Sequence, residues 1–311
     1  MSARRGETIH SGVLLVDKPS GMTSHDVVNR IRRATGERRV GHAGTLDPMA
    51  TGLLVVLVGP ATRLAPFLTA ADKTYEARIV FGFETDTDDA EGRVTVTAPV
   101  PDEVADPFFS ATTVAGLVGV HEQVPPAYSA IKRGGRVAYE AARAGEMLEI
   151  EPRSITVLAA KLLGVECAHE YSWDVEMTVS KGTYIRALAR DLGRALGTAA
   201  HLGALRRTRS GAVDVADAHT LEEIETAEHP SALFSDPLSS LGLPVVEISS
   251  ESASRVRDGR PLDAEESGAA GLVQGANVGV AHGGALLGVY ARSGKQLKPQ
   301  AVFFGGVGGA Q

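Results

Sequence analysis

The stretch Gly41-His42-Ala43-Gly44-Thr45-Leu46-Asp47-Pro48-Met49-Ala50-Thr51-Gly52, followed at once by Leu53-Leu54-Val55-Val56-Leu57-Val58, decides how this chain is read. Six consecutive aliphatic residues bounded by glycine predict a strand buried on both faces. The glycines and Pro48 ahead of it predict a short, rigid loop. That loop carries one carboxylate, Asp47. A carboxylate held on such a loop is a candidate nucleophile or general base. An Asp-Pro pair alone is more often a plain turn, so the neighbouring sequence has to decide.

Upstream, residues 12–17 (Gly-Val-Leu-Leu-Val-Asp) read as a short strand and Lys18-Pro19-Ser20-Gly21 as a turn. Thr23-Ser24-His25-Asp26 matches a capping box; Val27, Val28 and Ile31 supply the buried stripe of the helix it opens, and Gly36 its stop. Downstream, residues 74–83 alternate as a strand. The acidic run Glu84 to Gly92 lacks the ligand register of a calcium loop and reads as a solvated hairpin connection. Residues 112–118 suggest a helix ending near Gly119. Val124 to Lys132 is a proline-led extended segment, and Val137 to Ala144 a short helix. Residues 153–165 and 171–180 alternate as strands. Gly182 to Gly197 is a strongly amphipathic helix, with Ile185, Leu188, Ala189, Leu192 and Leu196 on one face.

After Asp236 the composition shifts to short alternating runs, such as Leu243 to Ile248 and Leu286 to Tyr290, separated by glycine-rich turns around Gly268 to Gly284. This predicts a small β module with a boundary near residue 240: residues 1–240 as one domain and 241–311 as another. Strands and helices alternate without a βαβ rhythm. The fold class expected is therefore α+β, with a mixed sheet and not a doubly wound one.

Composition narrows the function. With 43% hydrophobic and 22% charged residues, the chain can build a sizeable core. A single cysteine, Cys167, excludes an intramolecular disulfide or a cysteine-built metal site, and fits a reducing cytoplasm. The apolar run Val13 to Val16 is too short for a signal peptide or a membrane span. No phosphate loop, dinucleotide fingerprint, paired metal histidines or nucleophile elbow occurs; His121-Glu122 lacks the second histidine of a zinc protease. Chemistry on this chain is expected to run on side chains alone, with neither metal nor cofactor.

The formal net charge of −7 argues against nucleic acid, but binding depends on local patches. Arg30, Arg32, Arg33, Arg38 and Arg39 precede the Asp47 loop, and Arg206, Arg207 and Arg209 form a second cluster. Each reads as a solvated face or as a set of phosphate contacts. Tyr75, on a strand, is either half-buried packing or a stacking platform for a base. Tyr184 and Arg186 fall in the first turn of the amphipathic helix. A cation is out of place there unless a carboxylate opposes it. Arg186 facing Asp47 would meet that need and keep Asp47 ionised; an exposed arginine is the plainer alternative.

Several strings together resemble the TruB-type tRNA pseudouridine synthases. GVLLVDKPSGMTS (12–24) looks like the opening motif and RVGHAGTLDPMATG (39–52) like the catalytic loop. KTYEA (73–77) looks like the following strand motif, and SKGTYIRAL (180–188) with LRR (205–207) like the third site segment. QVPPAYSAIK (123–132), with Tyr139 to Gly145, resembles an RNA-clasping insertion spanning about 122–152. The resemblance covers about residues 12–210 and weakens beyond, where it implies only a PUA-like RNA-binding module. It implies the pseudouridine synthase fold, an α+β fold with a central mixed, mostly antiparallel sheet flanked by helices. It also implies isomerisation of uridine 55 in the T loop of tRNA, by base flipping, by a cofactor-free and monomeric enzyme. By this matching Asp47 is catalytic, Tyr75 stacks on the uracil, and Arg186 pairs with Asp47. Tyr184 sits beside the base, Leu205 packs on it, and Lys18 and Pro19 brace the loop. His42 fills the space the flipped nucleotide leaves, and Thr45, Arg38, Arg39, Lys132, Arg206 and Arg207 contact RNA. Ala43 stands where relatives often carry threonine. Two other readings stay open on the residues: a non-catalytic RNA-binding protein or RNA chaperone, and a glycoside hydrolase or nucleosidase using carboxylates, although a glycosidase would usually need two positioned acids.

Overall fold

The computed structural model describes residues 8, 10–129, 132–133, 136–137, 146 and 150–308. The chain forms two compact units. One comprises Met1–Pro48, Gly52–Ala71 and Arg209–Gln311; the other comprises Met49–Thr51 and Asp72–Thr208.

In the first unit the quoted apolar run is the strand Thr51–Val58. It pairs antiparallel with Gly12–Lys18, from Gly12 opposite Val58 to Lys18 opposite Gly52. Val40–His42 also pairs antiparallel with it. Leu53, Leu54, Val55, Val56, Leu57 and Val58 are fully buried, as a run without polar alternation requires. Val13, Leu15, Leu53, Val55 and Leu57 share one core with Leu286, Val289, Ala301 and Phe303 of the C-terminal strands. The helix Ser24–Thr35 is closed as its sequence predicts: Thr23 and Asp26 form the capping box, and Gly36 ends it at φ 66°.

The C-terminal part of this unit is a five-stranded sheet ordered Val245–Glu247, Asn277–His282, Ala285–Ser293, Gln296–Val307, Leu262–Asp263. Its second core includes Val256, Val280, Tyr290 and Leu297. The strand Asn277–His282 falls within the stretch read as glycine-rich turns. Its Val278, Val280 and Ala281 are buried, and this packing outweighs the local glycine content.

In the second unit five strands lie side by side in the order Gly119–Gln123, Arg153–Glu166, Ser172–Val179, Lys73–Phe81, Ala200–Ser210. The first three junctions are antiparallel. Trp173 anchors the core edge-on to Phe81, with ring centroids 4.8 Å apart, and its indole N–H donates to Val104 O at 2.8 Å. The helix expected over 112–118 is Pro107–Ala115. Asp106 caps it and Pro107 occupies its first position, while Gly116 and not Gly119 ends it. The segment 137–144, expected as a short helix, lies outside the described residues except for Val137.

The amphipathic helix is shorter than its periodicity suggests, Ile185–Ala195. Residues Ser180 to Thr183 form a tight turn, with Gly182 at φ 83°. Near the other end, Gly193 lets the helix approach the strand Ala200–Ser210. A Cβ there would stand 2.6 Å from the Cβ and backbone nitrogen of Ala200.

Candidate active site

The residues singled out by sequence divide between the two units. In the first, the Asp47 loop is fastened at several points. Lys18, fully buried, donates from Nζ to the carbonyls of Met22 at 2.7 Å, Pro19 at 2.9 Å and Pro48 at 3.2 Å. Gly21 N donates to the same Pro48 carbonyl at 2.9 Å. On the other side of Asp47, Leu46 N donates to Ser24 Oγ at 2.9 Å and Ser24 Oγ donates to Leu46 O at 3.1 Å. The residues before and after Asp47 are thus both held by the turn and helix start at 18–24. Charge-assisted bonds from a desolvated ammonium are stronger than neutral ones. Asp47 itself is half-buried, Thr45 and Pro19 are exposed, and His42 is half-buried at the end of its short strand.

The arginines before the loop are not equivalent. Arg30 makes a bidentate pair with Glu225, and Arg32 donates to Asn29 Oδ1 and Val40 O. Arg39 is exposed and donates from Nε to Thr62 Oγ1 at 2.7 Å. Arg38 is exposed.

In the second unit Tyr75 is half-buried on its strand, opposite Met177. Tyr184 is the residue preceding the helix Ile185–Ala195. Its backbone N–H donates to Gln123 Oε1 at 2.9 Å, and Gln123 Nε2 donates back to Tyr184 O at 3.1 Å. The Arg153 guanidinium lies over the Tyr184 ring, 4.5 Å from its centroid, and donates to Gly182 O. Arg186 is 5% exposed; it donates from Nη1 to Thr87 O at 2.9 Å and from Nη2 to Tyr128 O at 3.0 Å, and its Nη1 stands 3.5 Å from Asp89 Oδ2.

Leu205 is buried, and its carbonyl accepts from Thr51 Oγ1 at 3.5 Å. Arg206 is half-buried, whereas Arg207 is only 1% exposed; it lies on no solvated face, and the RNA contact expected of it from the sequence is corrected accordingly. Lys73 is also buried. Burial, and then the neighbouring Arg207 cation, bring its amine down to about 8. Lys132 lies on a two-residue strand, Lys132–Arg133, paired antiparallel with Arg136–Val137. Tyr139 to Gly145 of the expected insertion lie outside the described residues.

The acidic run Glu84 to Gly92 requires a correction. Phe83–Thr85 and Val94–Thr97 do form a hairpin, but its connection is only partly solvated: Asp86, Ala90 and Glu91 are exposed, and the other acids are not. Glu84, Asp88 and Asp89 are 4–8% exposed. Each carboxylate faces an arginine of the helix Ile185–Ala195: Glu84 with Arg194 at 2.6 Å, Asp88 with Arg190 at 2.8 Å, Asp89 with Arg186 at 3.5 Å. Arginines at i, i+4 and i+8 share a helix face, and here that face meets one acidic turn. Burial pushes the Asp88 carboxyl above its ordinary value, against the opposing effect of Arg190. Sequence reasoning also passed over Ser24, Gln123, Arg153 and Lys73. Ser24, Lys73 and Gln123 sit inside motifs already quoted, though without a sign of their partners; Arg153 leaves no local signal, because its work is to meet distant backbone.

Solved structures share this architecture. A chain from the structure of an H/ACA RNP bound to a substrate RNA containing 2′-deoxyuridine superposes with a TM-score of 0.70 at 25% identity, covering 94% of this chain and 84% of that one. A chain from a Cbf5-Nop10-Gar1 complex gives 0.72 at 24% identity, covering 97% and 91%, and shows the fold. The α+β class expected from the sequence is the class observed. In sequence, residues 32–185 match the N-terminal domain of TruB family pseudouridylate synthases, and residues 186–245 match the C-terminal domain of tRNA pseudouridylate synthase B. Proteins named tRNA pseudouridine synthase B from Cutibacterium acnes and Thermobifida fusca are each 47% identical to this chain. The alignments cover 82% and 84% of this chain, and 86% and 90% of those proteins. The chain belongs to the TruB family of pseudouridylate synthases.

Proposed function

We propose that this chain isomerises uridine 55 in the T loop of tRNA to pseudouridine, with Asp47 as the catalytic carboxylate and no cofactor. The observation that carries the proposal is the fastening of the Asp47 loop. Lys18 and Gly21 hold Pro48, and Ser24 holds Leu46, so the backbone on both sides of Asp47 is fixed before substrate arrives. A carboxylate fixed in advance loses little further freedom in the reaction.

The reaction breaks the N1–C1′ bond, turns the uracil and rejoins it to C1′ through C5, the C5 proton being lost to solvent. No electron leaves or enters, so carboxylate chemistry suffices. The uridine first leaves its stack, at a cost of a few kcal/mol. Tyr75 stacking on the uracil, Leu205 packing against it and His42 in the vacated place offset that cost. Arg186 acts as the cation that keeps Asp47 ionised, and Tyr184, held by Gln123 and Arg153, positions the base or handles its proton. Thr45, Arg38, Arg39, Lys132 and Arg206 serve the RNA, whose folded loop is recognised by shape. The pairing of residues 241–311 with RNA as a PUA-like module, a monomeric state and a cytoplasmic location belong to the same proposal; no helix among the described residues is long and apolar enough to cross a membrane.

The test is tritium release from a tRNA transcript carrying 5-tritiated uridine, with wild type and Asp47→Asn, followed by mapping of the product. Release by wild type alone, mapping to position 55, is the expected result. Release by Asp47→Asn at more than a trace overturns the catalytic assignment. Tight binding without release by wild type favours an RNA-binding role, and free uracil a nucleosidase.

A further inference from the structure

Arg186 is not held by one partner. Its two acceptor carbonyls belong to different segments, Thr87 in the acidic turn and Tyr128 in the proline-led segment. One helical turn further on, Arg190 repeats the arrangement. It is 8% exposed; Nη1 donates to Asp88 Oδ2 at 2.8 Å, Nη2 to Val124 O at 2.9 Å, and Nε to Asp191 Oδ1 at 2.9 Å. Asp88 adjoins Thr87 and Asp89, and Val124 lies four residues from Tyr128. Arg190 therefore binds, one residue and four residues away, the same two segments that set the Arg186 guanidinium.

The turn it grips is strained and pinned. Asp88 sits at φ 60°, the one non-glycine residue at positive φ among the described residues. Its carbonyl accepts from Leu202 N at 3.0 Å, and Ala90 N donates to Leu202 O at 3.0 Å. Thr85 Oγ1 donates to Asp89 O and Thr87 Oγ1 to Asp89 Oδ1, both at 2.6 Å. A left-handed, carboxylate-bearing residue in a buried turn persists only where its surroundings hold it, and the Arg190 guanidinium is the cation bonded to that carboxylate.

We propose that Arg190, acting through Asp88 and the Val124 carbonyl, is a positioning residue for Arg186 in the isomerisation. It fixes the acidic turn and the start of the proline-led segment on one helix face, and so sets the two carbonyls and the Asp89 carboxylate that orient the Arg186 side chain. The inference rests on the reading of Arg186 as part of the active site.

The experiment measures single-turnover tritium release and tRNA affinity for Arg190→Met, Arg190→Lys, Asp88→Asn and Arg186→Lys, and for Arg190→Met combined with Arg186→Lys. Arg190→Met is expected to slow release about thirtyfold while tRNA Kd stays within about threefold, the pattern of an interaction that matters in the transition state. Arg190→Lys, which keeps the charge, should recover part of the rate. In the Arg186→Lys background the further loss from Arg190→Met should shrink to about threefold or less, because residues acting through one group are not additive. Full rate in folded Arg190→Met, a loss confined to Kd, or full additivity with Arg186→Lys overturns the proposal. If Arg190→Met does not fold, Asp88→Asn decides: a roughly tenfold slower rate at unchanged Kd supports it, and wild-type rate overturns it. Wild type without tritium release would instead remove the underlying function, whatever the variants do.

Discussion

Lys18 Nζ donates to the carbonyl of Pro48 across 3.2 Å and thirty residues of sequence. The lysine has no solvent contact, and the residue it holds follows Asp47 directly. A buried ammonium is costly unless its protons are satisfied, and here Pro19, Met22 and Pro48 supply carbonyl acceptors. Lys18→Met fills much the same space while removing the lysine donor from the Pro19 and Met22 carbonyls and leaving Pro48 to Gly21 N alone. It should lower stability by about 1–3 kcal/mol, the usual cost of unsatisfied buried groups, and slow turnover by more than the same loss of stability elsewhere in the core. Urea denaturation and single-turnover assays on one preparation check both. Unchanged turnover would mean that Gly21 and Ser24 suffice to hold the loop.

The arginines ahead of the loop separate by their partners. Arg38 and Arg39 are exposed, whereas Arg30 is engaged by Glu225. If Arg38 and Arg39 meet phosphates, replacing both with glutamine flattens the dependence of log affinity on log salt by about 1.5, at roughly 0.7–0.9 for each contact. Arg30→Gln should leave the slope alone, since its charge is already matched within the protein. Filter binding of tRNA between low and moderate salt makes the comparison. Equal slopes for wild type and the Arg38/Arg39 variant would place the phosphate contacts elsewhere.

Much of the fold is legible because it rests on local rules. Thr23, Asp26 and Gly36 mark both ends of the first helix, and the run Leu53 to Val58 announces a buried strand. The motifs that carry the family resemblance are legible as strings. The acidic turn is not, because its meaning comes from Arg186, Arg190 and Arg194, about a hundred residues away. Read locally, Glu-Thr-Asp-Thr-Asp-Asp is a solvated loop; in the fold it forms the counter-charge of a helix face. The roles of Gln123 and Arg153 are hidden for the same reason: they act on the backbone of Tyr184 and Gly182, and although Gln123 opens a quoted motif, nothing near either residue names that partner.

Gly193 offers a steric test of how tightly the helix bearing Arg186 is seated. A methyl group there meets Ala200 at 2.6 Å, at both its Cβ and its backbone nitrogen. No flexible side chain can give way, so helix or strand must move. Gly193→Ala should destabilise the protein by about 1–3 kcal/mol despite the better helix propensity of alanine. Thermal denaturation checks the sign; a stabilised variant would show that the helix can shift without cost.

Lys73 yields a prediction in pH. Its strand also carries Tyr75, and with a period of two the two side chains share a face. Burial and the Arg207 cation bring Lys73 from the ordinary 10.5 down to about 8, so the folded protein favours the neutral amine. Between about 8 and 10.5 the unfolded chain therefore binds more protons than the folded one, and stability rises with pH across that window. Below about 8 both states are protonated, and the folded state bears the full cost of a poorly solvated cation. Lys73→Met removes the titration. The stability of wild type relative to Lys73→Met should thus improve by about 2–3 kcal/mol between pH 7.5 and pH 10.5, with other titrating groups cancelling in the difference. Urea denaturation of both proteins at the two pH values gives the number. A difference that does not change with pH would mean that Lys73 keeps its charge in the fold, and that its closeness to Arg207 is balanced by a carboxylate such as Asp72.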